Sequence, residues 1–238
     1  MAEPGDSAPA AEEGQDFEGN FSFFVTSIEI IQELSGSQDG FGGDLGGLEG
    51  ADEICRKAAA TQGAANKTWR AFLSTSSEDA IDRIGQGPWY DRNGRLVAED
   101  IAGLLNDRPA GDPLVANNLP NERGEPLNQN GVDDHDVMTG SNSQGRLIDP
   151  SATCMDWTSV ENSAGDSGGG GRRPFGGGGG GPQLGHSWPA FSGTNWMQTH
   201  RASGCAPGVN LVQDGPGSGS CVGCGGGYGG IYCFALEP

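Results

Sequence analysis

The sequence is short of positive charge. Thirteen Lys and Arg stand against 32 Asp and Glu in 238 residues, a formal net charge of −19. That balance excludes a grip on nucleic acid, whose phosphates are held by clustered Lys and Arg, and electrostatic attachment to anionic lipid. No run of about 20 apolar residues is present, the length a membrane-spanning helix needs. Catalytic signatures are missing too: there is no Gly-x-Ser-x-Gly elbow, no His-Glu-x-x-His pair and no phosphate loop. Serines and carboxylates abound without a recognisable catalytic context, so a non-enzymatic protein is expected. Histidine occurs only three times.

What is abundant is glycine, at 44 positions, with a hydrophobic share of only 34%. Such a composition predicts one compact domain with long loops and a smaller regular core than its length suggests. Residues 1–20, "MAEPGDSAPAAEEGQDFEGN", hold acids but no Lys or Arg and read as a disordered acidic leader. They lack the basic start and apolar stretch of a signal peptide; the start of a mature exported chain fits them. The domain is expected over 21–238, with a flexible Gly-rich loop at 163–182.

Six cysteines are spread unevenly: Cys55, Cys154, Cys205, Cys221, Cys224 and Cys233. An even count at wide spacing suits a disulfide framework, though spacing alone leaves all the pairings open. The alternative, a zinc knuckle, needs two Cys-x-x-Cys pairs. Only Cys221-Val-Gly-Cys224 has that form.

Along the chain, "FSFFVTS" (Phe21 to Ser27) and "TWRAFLST" (Thr68 to Thr75) read as strands. In the second, Trp69, Ala71 and Leu73 alternate with Arg70 and Phe72. "GADEICRKAAATQG" places Ile54, Cys55, Ala58 and Ala59 on one helical face and stops at Gly63. "SSEDAIDRIG" offers a serine N-cap, early acids and a stop at Gly85. Asn93-Gly94 suits a hairpin, residues 106–134 suit loop, and Ile231 to Leu236 suits a last strand. Strands at both ends, two early helices and a loop-rich second half predict an α+β fold.

The blocks "GLEGADEICRKAAATQG", "TWRAFLST", "MTGSNSQGR", "ATCMDWTS" and "GGIYCFAL", in this order, resemble endostatin, the C-terminal domain of certain collagens. They resemble more closely still the bacterial endostatin-like, lectin-like secreted proteins and lipoproteins. The resemblance implies a C-type-lectin-like fold: a twisted, mainly antiparallel sheet, two helices and long Gly-rich loops. It also implies pairing of Cys55 with Cys233 and Cys154 with Cys205; Cys221 and Cys224, without a counterpart in the family, are left to each other. The first two cross-links are worth roughly 5 and 4 kcal/mol in the chain-entropy model. They would carry much of the scaffold's stability.

The densest polar cluster is "NQNGVDDHD". Asn128, Asn130, Asp133, Asp134 and Asp136 are candidate oxygen ligands, and calcium is the cation such a set suits. It is not an EF-hand, because position five of a loop begun at Asn128 would be Val132. "EPLNQN" only partly echoes the sugar-binding motif of C-type lectins, and Trp-Asn-Asp is missing. His186 and His200 with His135 and Asp136 would suffice chemically for zinc, but nothing in their spacing brings them together. The expected role of these histidines is to buttress loops. Trp69 and Trp157 are expected in the core. Trp188 and Trp196, in "SWPAFSGTNW", divide between core and an exposed ligand-stacking loop.

Taken together, the candidate ligand-binding residues are His135, Asp136, Thr139, Ser141, His186, Trp188, Trp196 and His200. The function expected is a secreted or cell-surface bacterial binding module, extracellular or lipoprotein-anchored, whose loop face recognises a glycan or an extracellular protein. The alternatives are a self-associating structural surface protein and a cation-dependent hydrolase at the His135 cluster.

Overall fold

A computed structural model describes residues 17–128, 132–162, 180–189, 194–212 and 219–237. The chain opens with a helical turn, α1 (Phe17–Asn20), followed by β1 (Phe23–Val25), α2 (Ile28–Ser35), α3 (Gly47–Ala60) and β2 (Trp69–Ala71). Then come a one-turn α4 (Ala80–Arg83), the pair β3 (Trp89–Tyr90) and β4 (Leu96–Ala98), and two more single turns, α5 (Ile101–Leu104) and α6 (Pro113–Ala116). Three strands complete the fold: β5 (Asp136–Met138), β6 (Leu184–His186) and β7 (Gly227–Ala235). The architecture is α+β and mainly antiparallel. β7 pairs antiparallel with both β1 and β2 and parallel with β5, and β5 pairs antiparallel with β6.

β7 is the axis of the molecule, buried along its whole length. Successive side chains of a strand point to opposite faces, so its residues split between two apolar layers. Ile231, Cys233 and Ala235 join the layer holding Phe24, Trp69 and the buried face of α3. Tyr232 and Phe234 join Phe23, Phe72, Trp89 and Trp196 on the other side. The interior is therefore thicker than the glycine-rich composition suggests. Phe72, assigned by alternation to a polar face, is fully buried because the sheet is covered on both sides.

Several expectations need correction. The strands at 21–27 and 68–75 are only three residues long in each case. The final strand starts earlier, at Gly227, because glycines allow the close approach of neighbouring backbone. α2 escaped the sequence reading, although Ser27 caps it by accepting from the Ile30 amide. Within the expected leader, Phe17–Asn20 form α1, and the Lys67 ammonium donates to the carbonyls of Gly19 and Phe21; residues 1–16 lie outside the described part. Of the expected Gly-rich loop only residues 180–182 are described; they are buried, and Arg201 Nε donates to the Gly181 carbonyl. Residues 163–179 are outside the described part.

All six cysteines are in disulfides. Cys55 on α3 joins Cys233 on β7, Cys154 joins Cys205, and Cys221 joins Cys224. Beside Cys154 the chain makes a left-handed helical turn, with φ of 50, 57, 55 and 68° at Cys154, Met155, Asp156 and Trp157. L-residues resist this conformation, and tertiary bonds hold it. The Asp156 carboxylate accepts from the Ser76 amide and hydroxyl, Trp157 Nε1 donates to the Ser74 carbonyl, and the Leu45 amide donates to the Trp157 carbonyl.

Candidate metal centre

Antiparallel pairing of β5 with β6 sets Asp136 directly opposite His186. His135 precedes Asp136 at the strand entrance. A third segment runs beside β6, where the Leu184 amide donates to the His200 carbonyl and the Thr199 amide to the Leu184 carbonyl. The backbone of His200 thus lies beside Leu184, and its side chain reaches along β6 to His186. From the other side of β5, the Asp136 amide donates to the Gly226 carbonyl. Gly225 lies over the cluster: a Cβ there would sit 3.2 Å from Asp136 Oδ2 and 3.8 Å from His200 Cε1. The glycine run at 225–227 is what lets the backbone close over these side chains.

The donor atoms converge. Nε2 of His135, His186 and His200 lie 3.4, 3.2 and 3.2 Å from Asp136 Oδ1. His186 Nε2 and His200 Nε2 are 3.2 Å apart, and all four ligand atoms fall within 4.8 Å of one another. A tetrahedron with bonds of about 2.0–2.1 Å, the zinc–imidazole length, has edges of about 3.3–3.4 Å. Despite this crowding, neither oxygen of the buried Asp136 carboxylate has a hydrogen-bond partner of acceptable direction. Buried carboxylate oxygens are normally satisfied.

Outer groups orient the rings. His135 Nδ1 faces the Asp133 carboxylate, and His200 Nδ1 lies 3.3 Å from its neighbour's carbonyl, Arg201 O. A ring hydrogen on Nδ1 in each would leave Nε2 as a lone-pair donor toward the centre, the usual outer shell of a metal-bound histidine. Trp188 packs edge-on against His135 with ring centroids 5.1 Å apart. Burial pushes the Asp136 carboxyl up, but His186 and His200 outweigh it and hold the group well below the ordinary carboxylate range. Burial lowers His186 to about 4 against the pull of Asp136. It also acts to lower His200, yet Asp136 and the Arg201 carbonyl leave that group raised. The lowered His186 and Asp136 favour the forms that bind metal, a neutral imidazole and an ionised carboxylate, whereas the raised His200 favours the imidazolium, whose proton a metal must displace. The site is nearly closed: the His200 side chain is 23% exposed, against 1% for His186 and Asp136.

The other sequence candidates fall elsewhere. Thr139 and Ser141 are buried and serve the framework: Thr139 Oγ1 donates to the Met197 carbonyl and Ser141 Oγ pairs with Ser74 Oγ. Between them, Gly140 has φ +65° and packs so tightly that a Cβ would lie 2.9 Å from the Trp157 ring. Trp196 is a core residue, not a loop-face one, with Nε1 donating to the Leu104 carbonyl. Trp188 is also buried, its Nε1 donating to Asp134 Oδ1. Among the described residues the oxygen set expected for calcium does not gather. Asp133 turns to His135, Asp134 to Trp188, and Asn128 is exposed; Asn130 lies outside the described residues. Of its described members only Asp136 enters the cluster, and there its companions are nitrogens, which calcium disfavours. Sequence reasoning lacked the strand register. Two histidines distant along the chain become neighbours only through β5–β6 pairing, and no local pattern announces it.

Fold and site define a disulfide-stapled α+β domain with a buried three-histidine, one-aspartate cluster. The sequence matches no protein-family model and no curated protein.

Proposed function

We propose that this chain is a non-enzymatic extracellular binding module of endostatin-like, C-type-lectin-like architecture. Its loop end is organised around one zinc ion held by His135, Asp136, His186 and His200. The carrying observation is the set of donor spacings: three imidazole nitrogens and a carboxylate oxygen at 3.2–3.4 Å along four of the six edges. Borderline nitrogen donors with a single carboxylate suit zinc over calcium or magnesium. Four protein donors fill a tetrahedron, the pattern of a structural site, whereas a hydrolytic zinc keeps a position for water. That weighs against the hydrolase alternative. The endostatin-like assignment draws support from the Cys55–Cys233 bond between the long helix and the last strand and from the mainly antiparallel sheet. Three disulfides suit an oxidising compartment, and no helix among the described residues is long and apolar enough to cross a membrane.

The test is elemental analysis of chain made in an oxidising compartment without added metal, followed by zinc titration of the stripped protein. One zinc per chain is expected, lost in His186→Ala with His200→Ala. A stripped chain that takes up no stoichiometric transition metal defeats the reading, as does undiminished binding by the double variant.

A further inference from the structure

A cavity of about 280 Å³ opens between the start of α2, the turn at 121–127 and the stretch entering β5. Its charges have been sorted. Arg123 is engaged by Glu29, Glu122 and Glu125. Glu122 also covers the amide end of α2, accepting from the Ser27 amide and hydroxyl. Asp134 is different. It is only 7% exposed, it lines the cavity, and one of its oxygens accepts from Trp188 Nε1. Among the described residues no other side chain donates to it. Apolar groups of Ile28, Leu127, Leu211 and the Tyr228 ring share the lining.

We propose that this cavity binds an alkylammonium group, its charge on the Asp134 carboxylate and its stem against Leu127, Leu211 and Tyr228. Three carboxyl groups, Glu29, Glu125 and Asp134, line the cavity against the one guanidinium of Arg123, so an anionic ligand is disfavoured. The group left uncompensated is a carboxylate, which a cationic donor completes. Drug-sized ligands occupy clefts of about 300–1,000 Å³, so this cavity takes one side chain or a small amine rather than an oligosaccharide. Two sources share the chemistry: a lysine of an extracellular partner, or a free primary amine. The inference rests on the binding-module reading and not on the metal.

The experiment is a titration of the full chain, followed by NMR, with Nα-acetyl-lysine methylamide, n-butylammonium and Nα-acetyl-norleucine methylamide. Saturable binding of one or both cations is expected, with the norleucine compound at least tenfold weaker. Asp134→Asn, which keeps an acceptor for Trp188, should weaken cation binding at least tenfold. Leu211→Phe, which fills the cavity, should weaken it without touching the charge. Binding of both cations points to a lysine side chain as a ligand; binding of butylammonium alone points to a free amine. Failure of both cations to saturate, equal binding of the norleucine compound, or indifference to Asp134→Asn overturns the proposal. A chain that holds zinc yet binds no amine leaves the metal centre standing; one that binds amine without zinc does the reverse.

Discussion

Removing zinc should lower the melting temperature by an amount the cluster itself sets. The four donors come from three separate segments, so the unfolded chain keeps only the adjacent His135–Asp136 pair and competes poorly for the ion. Binding then stabilises the folded state alone, by about 4.1 kcal/mol when free zinc stands at 1,000 times its dissociation constant. For a chain of this size each kcal/mol moves the midpoint by about 2–4 °C, so the shift should be about 8–16 °C. The stripped protein also keeps a buried, ionised Asp136 without the cation that the surrounding nitrogens imply. Calorimetry of stripped and zinc-restored protein, across a series of buffered free-zinc concentrations, gives both the shift and its logarithmic dependence. His186→Ala with His200→Ala should abolish the dependence. A midpoint that ignores zinc, or that rises equally in the double variant, refutes the reasoning.

Other substitutions probe the framework. Replacing Cys55 and Cys233 by alanine opens a loop with a sequence separation of 178 and should cost roughly 5 kcal/mol in the chain-entropy model, read by denaturant titration; a loss below about 1 kcal/mol would contradict it. Met155 has φ +57° and is 63% exposed, so Met155→Gly should relieve backbone strain without losing packing and raise stability by about 0.5–1 kcal/mol; a destabilised variant would show that the turn is not strained. Trp196→Ala should cost about 3–5 kcal/mol, because its ring packs on Phe72 and Tyr232. An unchanged midpoint there would place Trp196 on the surface after all. Gly225→Ala, whose Cβ would press on Asp136 Oδ2, should weaken zinc at least tenfold while leaving the circular dichroism of the fold unchanged; unaltered affinity would show that the glycine strand does not close the site.

Much was legible in the amino acids alone. Helical periodicity located the buried face of α3 around Ile54, Cys55, Ala58 and Ala59, because a helix carries its own repeat. The apolar stretches near both ends read as strands, and the acidity and the even set of cysteines bounded the class of protein. Polar identity also pointed to His135, Asp136, His186 and His200 as chemically able. What the chain order could not supply was distance. The β5–β6 register, the run beside β6 that presents His200, and the glycine backbone over Asp136 are contacts between segments remote in sequence. The same lack hid the burial of Trp188 and Trp196, the turn of Asp133 and Asp134 away from a common centre, and the left-handed turn at 154–157. Local propensity encodes which face of an element is apolar; which elements face one another is decided only when the two apolar layers close on β7.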